Sequence, residues 1–447
     1  MRAAAAAALL AGAALVAGAG CAEPERRDWN VVVLLVDTLR ADHLGAYGYP
    51  RDTSPALDAF AAANVLFADH RSQSPCTFPS VNSILTSRSP RLFTGREPGR
   101  FDIPAGVPAL AEILKARDYA TLAVSASPIV RATPSHLNEH GGYGRGFHVF
   151  LERCMGRRAA CVHTDAFTYL PLLRRPFFLY LHYMDTHAPY QQPDFYEKRF
   201  FAGADGKKWL REGDPKPLER LVAEGAADQI DPADVSILID LYDDSIGFFD
   251  QQFALLLETL ARENALDDTL IAVIADHGES FLEHGKLLHC RTLYEPEVRV
   301  PWLMRVPGVE GPVRVEGPTA NLDVVPTILD LLGEDVAGYE FEGRSHRRAI
   351  ERGEPVGEAT VFAEWGTLGS ATDGRFKLVA DRKAETVALY DLAADPGEER
   401  DLAAERTADV RRLASELEAW RRAAAQDGAE EEGESVEEQL KALGYLQ

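Results

Sequence analysis

The chain has 447 residues, and its 70 acidic residues against 47 basic ones give a formal net charge of −23. A field of that sign repels phosphodiester backbones and anionic headgroups, so we expect no nucleic acid as a partner. The hydrophobic share of 46% and the charged share of 26% are typical of a soluble globular protein. The length is sufficient for two or three domains.

Residues 1–21 predict a secretory signal peptide. One basic residue precedes a run of Ala, Leu, Val and Gly, and the run ends in Ala19-Gly20 before Cys21. A cysteine at that place resembles a bacterial lipoprotein processing site, although Gly18 stands where such sites usually have Leu or Val. We expect export to a bacterial cell envelope with Cys21 as a lipid anchor, and a simply cleaved signal is the alternative. No later run approaches the ~18 apolar residues of a membrane span, so this anchor is the only membrane attachment expected.

Apolar strands and amphipathic helices alternate through residues 28–335. Runs typical of strands lie at 30–36, 65–67, 119–125, 177–183, 269–275 and 301–306. Helical patterns lie at 55–63, 80–85, 108–117, 232–264 and 323–332. This alternation predicts an α/β fold with a large, doubly wound and mostly parallel sheet flanked by helices. Residues 201–230 are expected to form an excursion or lid over the functional site.

Residues 336–425 predict a small C-terminal α+β subdomain. Short strands at 360–364, 376–379 and 387–390 are separated by turn residues, and a closing helix is predicted at 402–422. Residues 426–447 include three consecutive glutamates, and we expect them to be a solvated acidic tail.

Three of the apolar strands are followed by residues that can bind a metal. Asp37 follows the first strand, Asp185 and His187 follow the 177–183 run, and Asp276 and His277 follow the 269–275 run. Strands that are apolar along their whole length belong to a sheet interior, and ligands collect beyond their carboxyl ends. Because burying uncompensated carboxylates is costly, the pattern favours a divalent cation with Asp and His ligands. The alternative is an Asp that caps a turn beside a hydrogen-bonded His.

Thr77 lies at the start of the helix that carries residues 80–85, with Pro79 in its first turn. The backbone N–H groups and the positive dipole end of a helix face an anion there. A hydroxyl is a poor nucleophile unassisted, whereas a bound metal moves the pKa of water from 15.7 to about 7. Thr77 beside the predicted cation is therefore a candidate nucleophile, and an N-cap hydroxyl is the alternative.

Seven segments, in their order along the chain, resemble sulfatases of the alkaline phosphatase superfamily. They are residues 30–49, 77–90, 177–190, 275–285, 292–301, 321–333 and 389–403. The resemblance implies the sulfatase fold and one divalent metal bound by Asp37, Thr77, Asp276 and His277. It implies Ca²⁺ as that metal, with Mg²⁺, Mn²⁺ or Zn²⁺ as alternatives.

The same resemblance implies catalytic contacts with the ester. His187 is expected to contact an ester oxygen, and the alternative is a histidine that is only hydrogen-bonded in its loop. Lys286 and His289 are the candidates for a basic catalytic residue in the next segment. His289 falls where the family places that contact and can protonate the leaving oxygen, whereas Lys286 has a solvated surface lysine as its alternative. Asp185 is expected to orient its neighbours.

Several positions depart from the family pattern. Sulfatases that form formylglycine carry Cys or Ser in C/S-x-P-S-R, whereas this chain has Thr77 at the nucleophile position and Val81 at the Arg position. Oxidation of a Thr gives a ketone, because its β-carbon carries a methyl group. Thr38 stands where a second Asp usually follows Asp37, and residues 125–127 stand where a Lys and a His are usual. With these departures, the set of site residues resembles that of the Thr-nucleophile branches of the superfamily, which act on phosphate esters and diesters.

We therefore expect a metal-dependent hydrolase that cleaves a sulfuric or phosphoric ester through a metal-bound Thr77. Small molecules, glycans or lipids are the expected ester substrates. One alternative is a Thr-nucleophile phosphodiesterase or phosphotransferase. Another is a non-catalytic binding protein on the sulfatase scaffold, and the retained metal-binding residues argue against it.

Besides the lipoprotein cysteine, four cysteines remain, and an even number permits disulfides in an exported protein. Cys154 and Cys161 are the nearest pair along the chain. Cys76 and Cys290 each neighbour a candidate site residue. A bond between these two would hold the nucleophile against the basic segment.

Overall fold

The computed structural model describes residues 26–94, 101–156, 158–203 and 207–425. The predicted signal peptide with Cys21 and the predicted acidic tail at 426–447 lie outside these ranges. Within them, every helix is either too short or too polar for a bilayer span.

Strands and helices alternate along the described residues as the sequence predicted. The strands are β1 Asn30–Val36, β2 Val65–Arg71, β3 Ala120–Ser125, β4 Val149–Leu151, β5 Phe177–Tyr183, β6 Thr269–Ile274, β7 Ser280–Phe281, β8 Leu287–Leu288, β9 Trp302–Arg305, β10 Val313–Ala320, β11 Val361–Trp365, β12 Leu368–Thr372, β13 Phe376–Asp381 and β14 Thr386–Asp391. The α-helices are α1 Pro55–Ala63, α2 Thr77–Thr86, α3 Leu110–Ala116, α4 Ala159–Tyr169, α5 Lys208–Arg211, α6 Lys216–Ala223, α7 Pro232–Arg262, α8 Glu295–Val298, α9 Val324–Leu331, α10 Arg347–Arg352 and α11 Thr407–Ala425.

Eight strands form one sheet in the order β10-β2-β9-β6-β1-β5-β3-β4. β9 is antiparallel to both of its neighbours, and the other pairs are parallel. At the centre of the sheet, Leu35 of β1 pairs with Ile274 of β6 on one side and His182 of β5 on the other. The large, mostly parallel sheet is confirmed, and the register brings the carboxyl ends of these three strands level with one another.

Helices cover both faces of this sheet, and every residue of β1 is buried as a result. Val32 and Leu34 pack in a core with α1, α4 and α7. Val31 and Val33 point the other way and pack in a second core with α2, α3 and α9. Burial of apolar area at about 25 cal/mol per Å² is the main stabilising contribution in such cores. The doubly wound arrangement is therefore confirmed.

Several elements packed in or against this sheet are absent from the sequence-based assignment, and β10 and α4 are among the longest of them. Gly317 and Pro318 are typical of a turn, yet β10 continues through them after a register shift between Val315 and Pro318. α4 has His, Thr and Cys residues where an amphipathic helix would have a continuous apolar stripe. Its start is fixed by a distant residue, because both carboxylate oxygens of Asp185 accept the N–H of Ala159 at 3.0 Å.

The C-terminal unit is an antiparallel sheet in the order β11-β12-β13-β14, and α11 packs against it. The predicted α+β architecture is confirmed, although β12 was not predicted. α11 begins at Thr407 instead of residue 402. The exact domain boundary at 335/336 stays a prediction.

Candidate active site

The centre of the site lies at the carboxyl ends of β1 and β6. Asp37 directly follows β1, and Asp276 and His277 follow β6 after one further residue. One ligand atom from each of the three lies within 4.8 Å of the others. All three side chains are buried, with 1%, 0% and 0% of their surfaces exposed. We call these three residues the acidic cluster.

Two carboxylate oxygens of the acidic cluster have no hydrogen-bond partner among the described residues: Asp37 Oδ1 and Asp276 Oδ2. By contrast, Asp276 Oδ1 accepts the backbone N–H groups of Thr38 at 3.2 Å and His277 at 2.9 Å. An unsatisfied buried oxygen is costly and requires an explanation. A cation bound between the two free oxygens supplies one.

The tautomer of His277 is consistent with a metal ligand. Its Nδ1–H donates to the carbonyl of Gly278 at 2.9 Å, so Nε2 carries a lone pair. Nε2 lies 3.4 Å from Asp276 Oδ2 and 3.9 Å from Asp37 Oδ1. Two carboxylate oxygens and one imidazole nitrogen fit a divalent cation.

His182 of β5 is a neighbour of the acidic cluster that sequence reasoning missed. Its Nε2–H donates to Asp37 Oδ2 at 3.3 Å, and its Nδ1 accepts the O–H of Tyr180 at 3.0 Å. Burial acts to raise the pKa of Asp37, but the hydrogen bond from His182 and the nearby histidine charges hold that pKa below its ordinary value. Burial raises the pKa of Asp276, and the charge of Asp37 adds to the effect. The signal was one polar residue inside an otherwise apolar strand.

Thr77 is the first residue of α2, as predicted, and its side chain is buried beside the acidic cluster. Its Oγ1 lies 3.2 Å from His277 Nε2. Ser80, one turn further along α2, donates its hydroxyl to the carbonyl of Asp276 at 2.6 Å. This bond fixes the start of α2 against the end of β6, and it holds the Thr77 hydroxyl next to His277 of the acidic cluster.

His187 and His289 lie together on the open side of the acidic cluster. Their ring centroids are 5.0 Å apart, and the ring of His289 is 4.6 Å from that of His277. His187 Nδ1–H donates to the carbonyl of Ala188 at 2.6 Å, and His289 Nδ1–H donates to Glu279 Oε1 at 2.8 Å. Burial acts to lower the pKa of His289, but the charge and hydrogen bond of Glu279 outweigh it and raise that pKa. The Nε2 atoms of both rings remain available for an ester.

The structure does not bring Lys286 to this group. Its side chain is exposed in the turn between β7 and β8, and no described residue of the acidic cluster contacts it. Asp185 stays outside the cluster too, because its carboxylate caps α4. Burial raises the pKa of Asp185 to about 6.

The residues at positions where the family usually has cations are neutral here, and they take part in packing or in hydrogen bonds within the protein. Val81 is fully buried in the core. Ser125 donates its hydroxyl to the carbonyl of Val130 at 2.8 Å, and the Ser127 hydroxyl accepts the N–H of the same residue at 3.2 Å. These side chains therefore stabilise a loop and supply no charge to the site.

Both candidate disulfides are present. Cys154 bonds to Cys161, and Cys76 bonds to Cys290 with a Cα–Cα distance of 4.9 Å. The second bond joins the residue before Thr77 to the residue after His289. The predicted nucleophile and the predicted basic residue are thus covalently connected through their neighbours.

Comparison with known proteins agrees with this geometry. The family model described as Sulfatase matches residues 29–334, which is more than half of the chain. The chain belongs to the sulfatase family. A choline-sulfatase of Rhizobium meliloti (strain 1021) is 36% identical over 166 residues, which span 36% of this chain and 32% of that protein. Human arylsulfatase A is 25% identical over an alignment of 476 residues, which covers 87% of this chain and 85% of that protein.

Solved structures show the same fold. A 2-O GAG sulfatase superposes with a TM-score of 0.72 at 19% identity, covering 92% of this chain and 96% of that one. The phosphonate monoester hydrolase of Agrobacterium radiobacter superposes with a TM-score of 0.70 at 21% identity, covering 89% and 96%. This sulfatase is accordingly a hydrolase of the sulfuric ester type, and it has the architecture of the alkaline phosphatase superfamily.

Proposed function

We propose that this sulfatase cleaves a sulfuric ester, with a divalent metal at the acidic cluster and Thr77 as the nucleophile. One observation carries the proposal. The Thr77 hydroxyl oxygen lies 3.2 Å from His277 Nε2, at the edge of a buried cluster that has two carboxylate oxygens free.

Asp37, Asp276, His277 and Thr77 would hold the metal. Ca²⁺ is the ion that the family resemblance implies, and the imidazole nitrogen in the donor set is equally suited to Zn²⁺ or Mn²⁺. When bound, the ion supplies positive charge that lowers the pKa of a neighbouring hydroxyl and compensates charge on the ester oxygens.

The remaining chemistry belongs to the side chains. Thr77 loses its hydroxyl proton to solvent, and its Oγ1 attacks sulfur in line with the leaving oxygen. The bond between sulfur and the leaving oxygen breaks with both electrons on that oxygen, which takes a proton from Nε2 of His289 in its imidazolium form. His187, also as an imidazolium, donates a hydrogen bond from Nε2–H to an equatorial oxygen. Water then attacks sulfur of the Thr77 ester, which releases sulfate and returns a proton to Thr77, and His289 Nε2 takes up a proton from solvent.

A phosphodiester or phosphonate monoester is the second candidate substrate, and one observation favours it over a phosphate monoester. The neutral residues Val81, Ser125 and Ser127 leave few fixed cations around the nucleophile. A dianionic phosphate monoester lacks compensation in such a site, because charge buried without a partner is costly. Sulfuric esters and phosphodiesters carry a single negative charge, so both suit it better. Transfer of the phosphoryl group from Thr77 to an alcohol would make the protein a phosphotransferase.

We also propose that the protein works outside the cytoplasm, anchored through a lipid on Cys21. The two disulfides support an oxidising compartment. Small-molecule, glycan or lipid esters exposed at the cell envelope are then the accessible substrates.

The test is a panel of 4-nitrophenyl sulfate, bis(4-nitrophenyl) phosphate, a phenylphosphonate monoester and 4-nitrophenyl phosphate, each assayed with added metal. Thr77→Ala is expected to lower kcat/KM on the order of 10⁴-fold or more on every ester that the wild type cleaves. Thr86→Ala is the matched control, because Thr86 is a buried residue of the same helix whose hydroxyl bonds only to the carbonyl of Asn82.

Equal rates for wild type and Thr77→Ala would remove Thr77 from the mechanism. Binding of one metal equivalent without turnover of any ester would favour a non-catalytic binding protein instead.

A further inference from the structure

We propose that Glu279 is a positioning residue for catalysis, which orients His289 toward the leaving oxygen and couples it to Tyr190, in the segment that precedes the predicted 201–230 excursion. The proposal rests on the proposed function, in which His289 protonates that oxygen.

Glu279 is a fully buried carboxylate whose two oxygens are both engaged. Oε1 accepts His289 Nδ1–H at 2.8 Å, and Oε2 accepts the hydroxyl of Tyr190 at 2.9 Å. Its backbone carbonyl accepts a hydrogen bond from Arg40 Nη1 at 2.9 Å. The side chain is therefore held by two hydrogen bonds and the backbone by a third, so that Glu279 is fixed before any ester binds.

The bond to Glu279 determines which atom of His289 meets the substrate. Since a carboxylate can only accept, Nδ1 keeps its hydrogen, and Nε2 is the one ring nitrogen left for the leaving oxygen. The His289 ring lies beside those of His277 and His187, at 4.6 Å and 5.0 Å. Rotation of the ring about its side-chain bonds would break the Glu279 contact and take Nε2 away from this space.

The backbone around His289 leaves that rotation as the main remaining freedom. Leu288 and Cys290 have φ values of 67° and 61°, a left-handed conformation that non-glycine residues rarely adopt. Cys290 is also bonded to Cys76, and its N–H donates to the carbonyl of Pro75 at 2.9 Å. The main chain is thus fixed on the far side of His289, and Glu279 supplies what the main chain cannot, which is the orientation of the ring.

Tyr190 extends this chain of contacts toward the excursion at 201–230. Its N–H donates to the carbonyl of Gly213, a residue of that excursion, at 2.9 Å. Further along, Glu219 of α6 pairs with Arg291 at 2.7 Å, two residues after His289. The excursion is therefore connected to the His289 segment directly through Glu219 and Arg291, and indirectly through Tyr190 and Glu279.

The experiment uses aryl esters of the type that the wild type cleaves, with leaving groups from 4-nitrophenol to phenol. A good leaving group needs no proton in the transition state, whereas a poor one does. We expect Glu279→Gln to lower kcat/KM about 10²-fold for the phenyl ester and less than about tenfold for the 4-nitrophenyl ester. Metal content should stay at the wild-type value. Tyr190→Phe, which removes one hydrogen bond without changing charge, should shift the same ratio in the same direction by a smaller factor.

Glu297→Gln is the matched control. Glu297 is another fully buried glutamate of the same region, but its carboxylate binds Ser280 and the N–H groups of Arg291 and Thr292. It should leave the ratio between phenyl and 4-nitrophenyl esters unchanged. Equal losses on all esters in Glu279→Gln and an unshifted ratio in Tyr190→Phe would overturn the proposal. Its failure is distinct from failure of the Thr77 mechanism, since the latter is read from Thr77→Ala on the 4-nitrophenyl ester alone.

Discussion

Two groups of buried charged residues in this protein have opposite surroundings. In the acidic cluster, neither Asp37 nor Asp276 forms an ion pair with a lysine or arginine of the described chain. In the interface between the large sheet and the C-terminal unit, Glu295 accepts hydrogen bonds from Arg71 at 2.9 Å and from Lys377 at 2.8 Å. Lys377 is 0% exposed and also lies 2.9 Å from Glu398.

The electrostatics follow from this difference in partners. Burial acts to raise the pKa of Glu295, but Arg71 and Lys377 hold it well below its ordinary range. Burial raises the pKa of Asp276, and the charge of Asp37, which has the same sign, raises it further. Buried carboxylates that are paired with the protein's own lysine and arginine side chains hold two parts of the fold together. Buried carboxylates without such a partner mark the place where an external cation is expected.

The strongest test of this comparison is Asp276→Asn. The variant keeps the shape of the side chain and loses its charge. We expect metal binding to fall from one equivalent to none, and kcat/KM to fall on the order of 10³-fold or more because the charge stabilisation is lost. Elemental analysis and steady-state kinetics measure the two effects. The metal-free variant should melt at a higher temperature than the metal-free wild type, since a buried charge without a partner has been removed. A lower melting temperature would show that Asp276 is structurally paired after all.

Lys377→Met should lower stability and leave metal binding unchanged, the reverse of Asp276→Asn. It leaves Glu295 and Glu398 buried without their shared cation, and we expect a loss of about 3–5 kcal/mol in the free energy of unfolding. Urea denaturation measures the loss, and metal content of the folded protein should be unchanged. Lys383→Met is the control, because Lys383 is exposed in the turn between β13 and β14 and should change stability by less than about 0.5 kcal/mol. Similar values for the two variants would remove the contrast between the regions.

The two disulfides provide a further comparison, since Cys76–Cys290 adjoins the candidate active-site residues and Cys154–Cys161 does not. Replacing Cys76 and Cys290 together by Ala should lower kcat by up to about 10²-fold, because Thr77 and His289 lose their fixed separation. Replacing Cys154 and Cys161 together should change kcat far less. If both double variants lost kcat equally, the loss would be due to general destabilisation of the protein and not to the separation of Thr77 and His289.

The smallest effect is expected for an exposed pair. Arg412 contacts Asp373 and, at 3.5 Å, Glu416 on the surface of the C-terminal unit. Arg412→Ala should lower the free energy of unfolding by about 1 kcal/mol or less. The difference should disappear in 1 M salt, where charges are screened within about 3 Å. A larger, salt-independent loss would show that burial is not what separates strong from weak pairs here.

Much of the fold and the acidic cluster could be predicted because the sequence signals are local. β1 and β6 are uninterrupted apolar runs, and Asp37 and Asp276 stand where those runs end. Pro79 in the first turn of α2 placed Thr77 at a helix start. Parallel pairing of β1 with β6 then brings the strand ends together without further information.

What could not be predicted depends on unusual backbone or on distant contacts. Glu279 reaches His289 because Leu282 and Leu288 both adopt positive φ, which the sequence pattern of a leucine does not indicate. The same hairpin leaves Lys286 in solvent, which is the alternative that the sequence analysis gave for it beside His289. The fully paired Lys377 belongs to a strand whose partners come from elements far away along the chain.

The strands that deliver Asp37 and Asp276 are separated by more than half of the polypeptide. The acidic cluster therefore cannot be complete until residue 277 has been synthesised, and the proposed ion would be bound only once β1 and β6 have paired. If the proposed cation binds only after this pairing, the divalent ions present in the compartment where folding is completed would determine which metal enters the site.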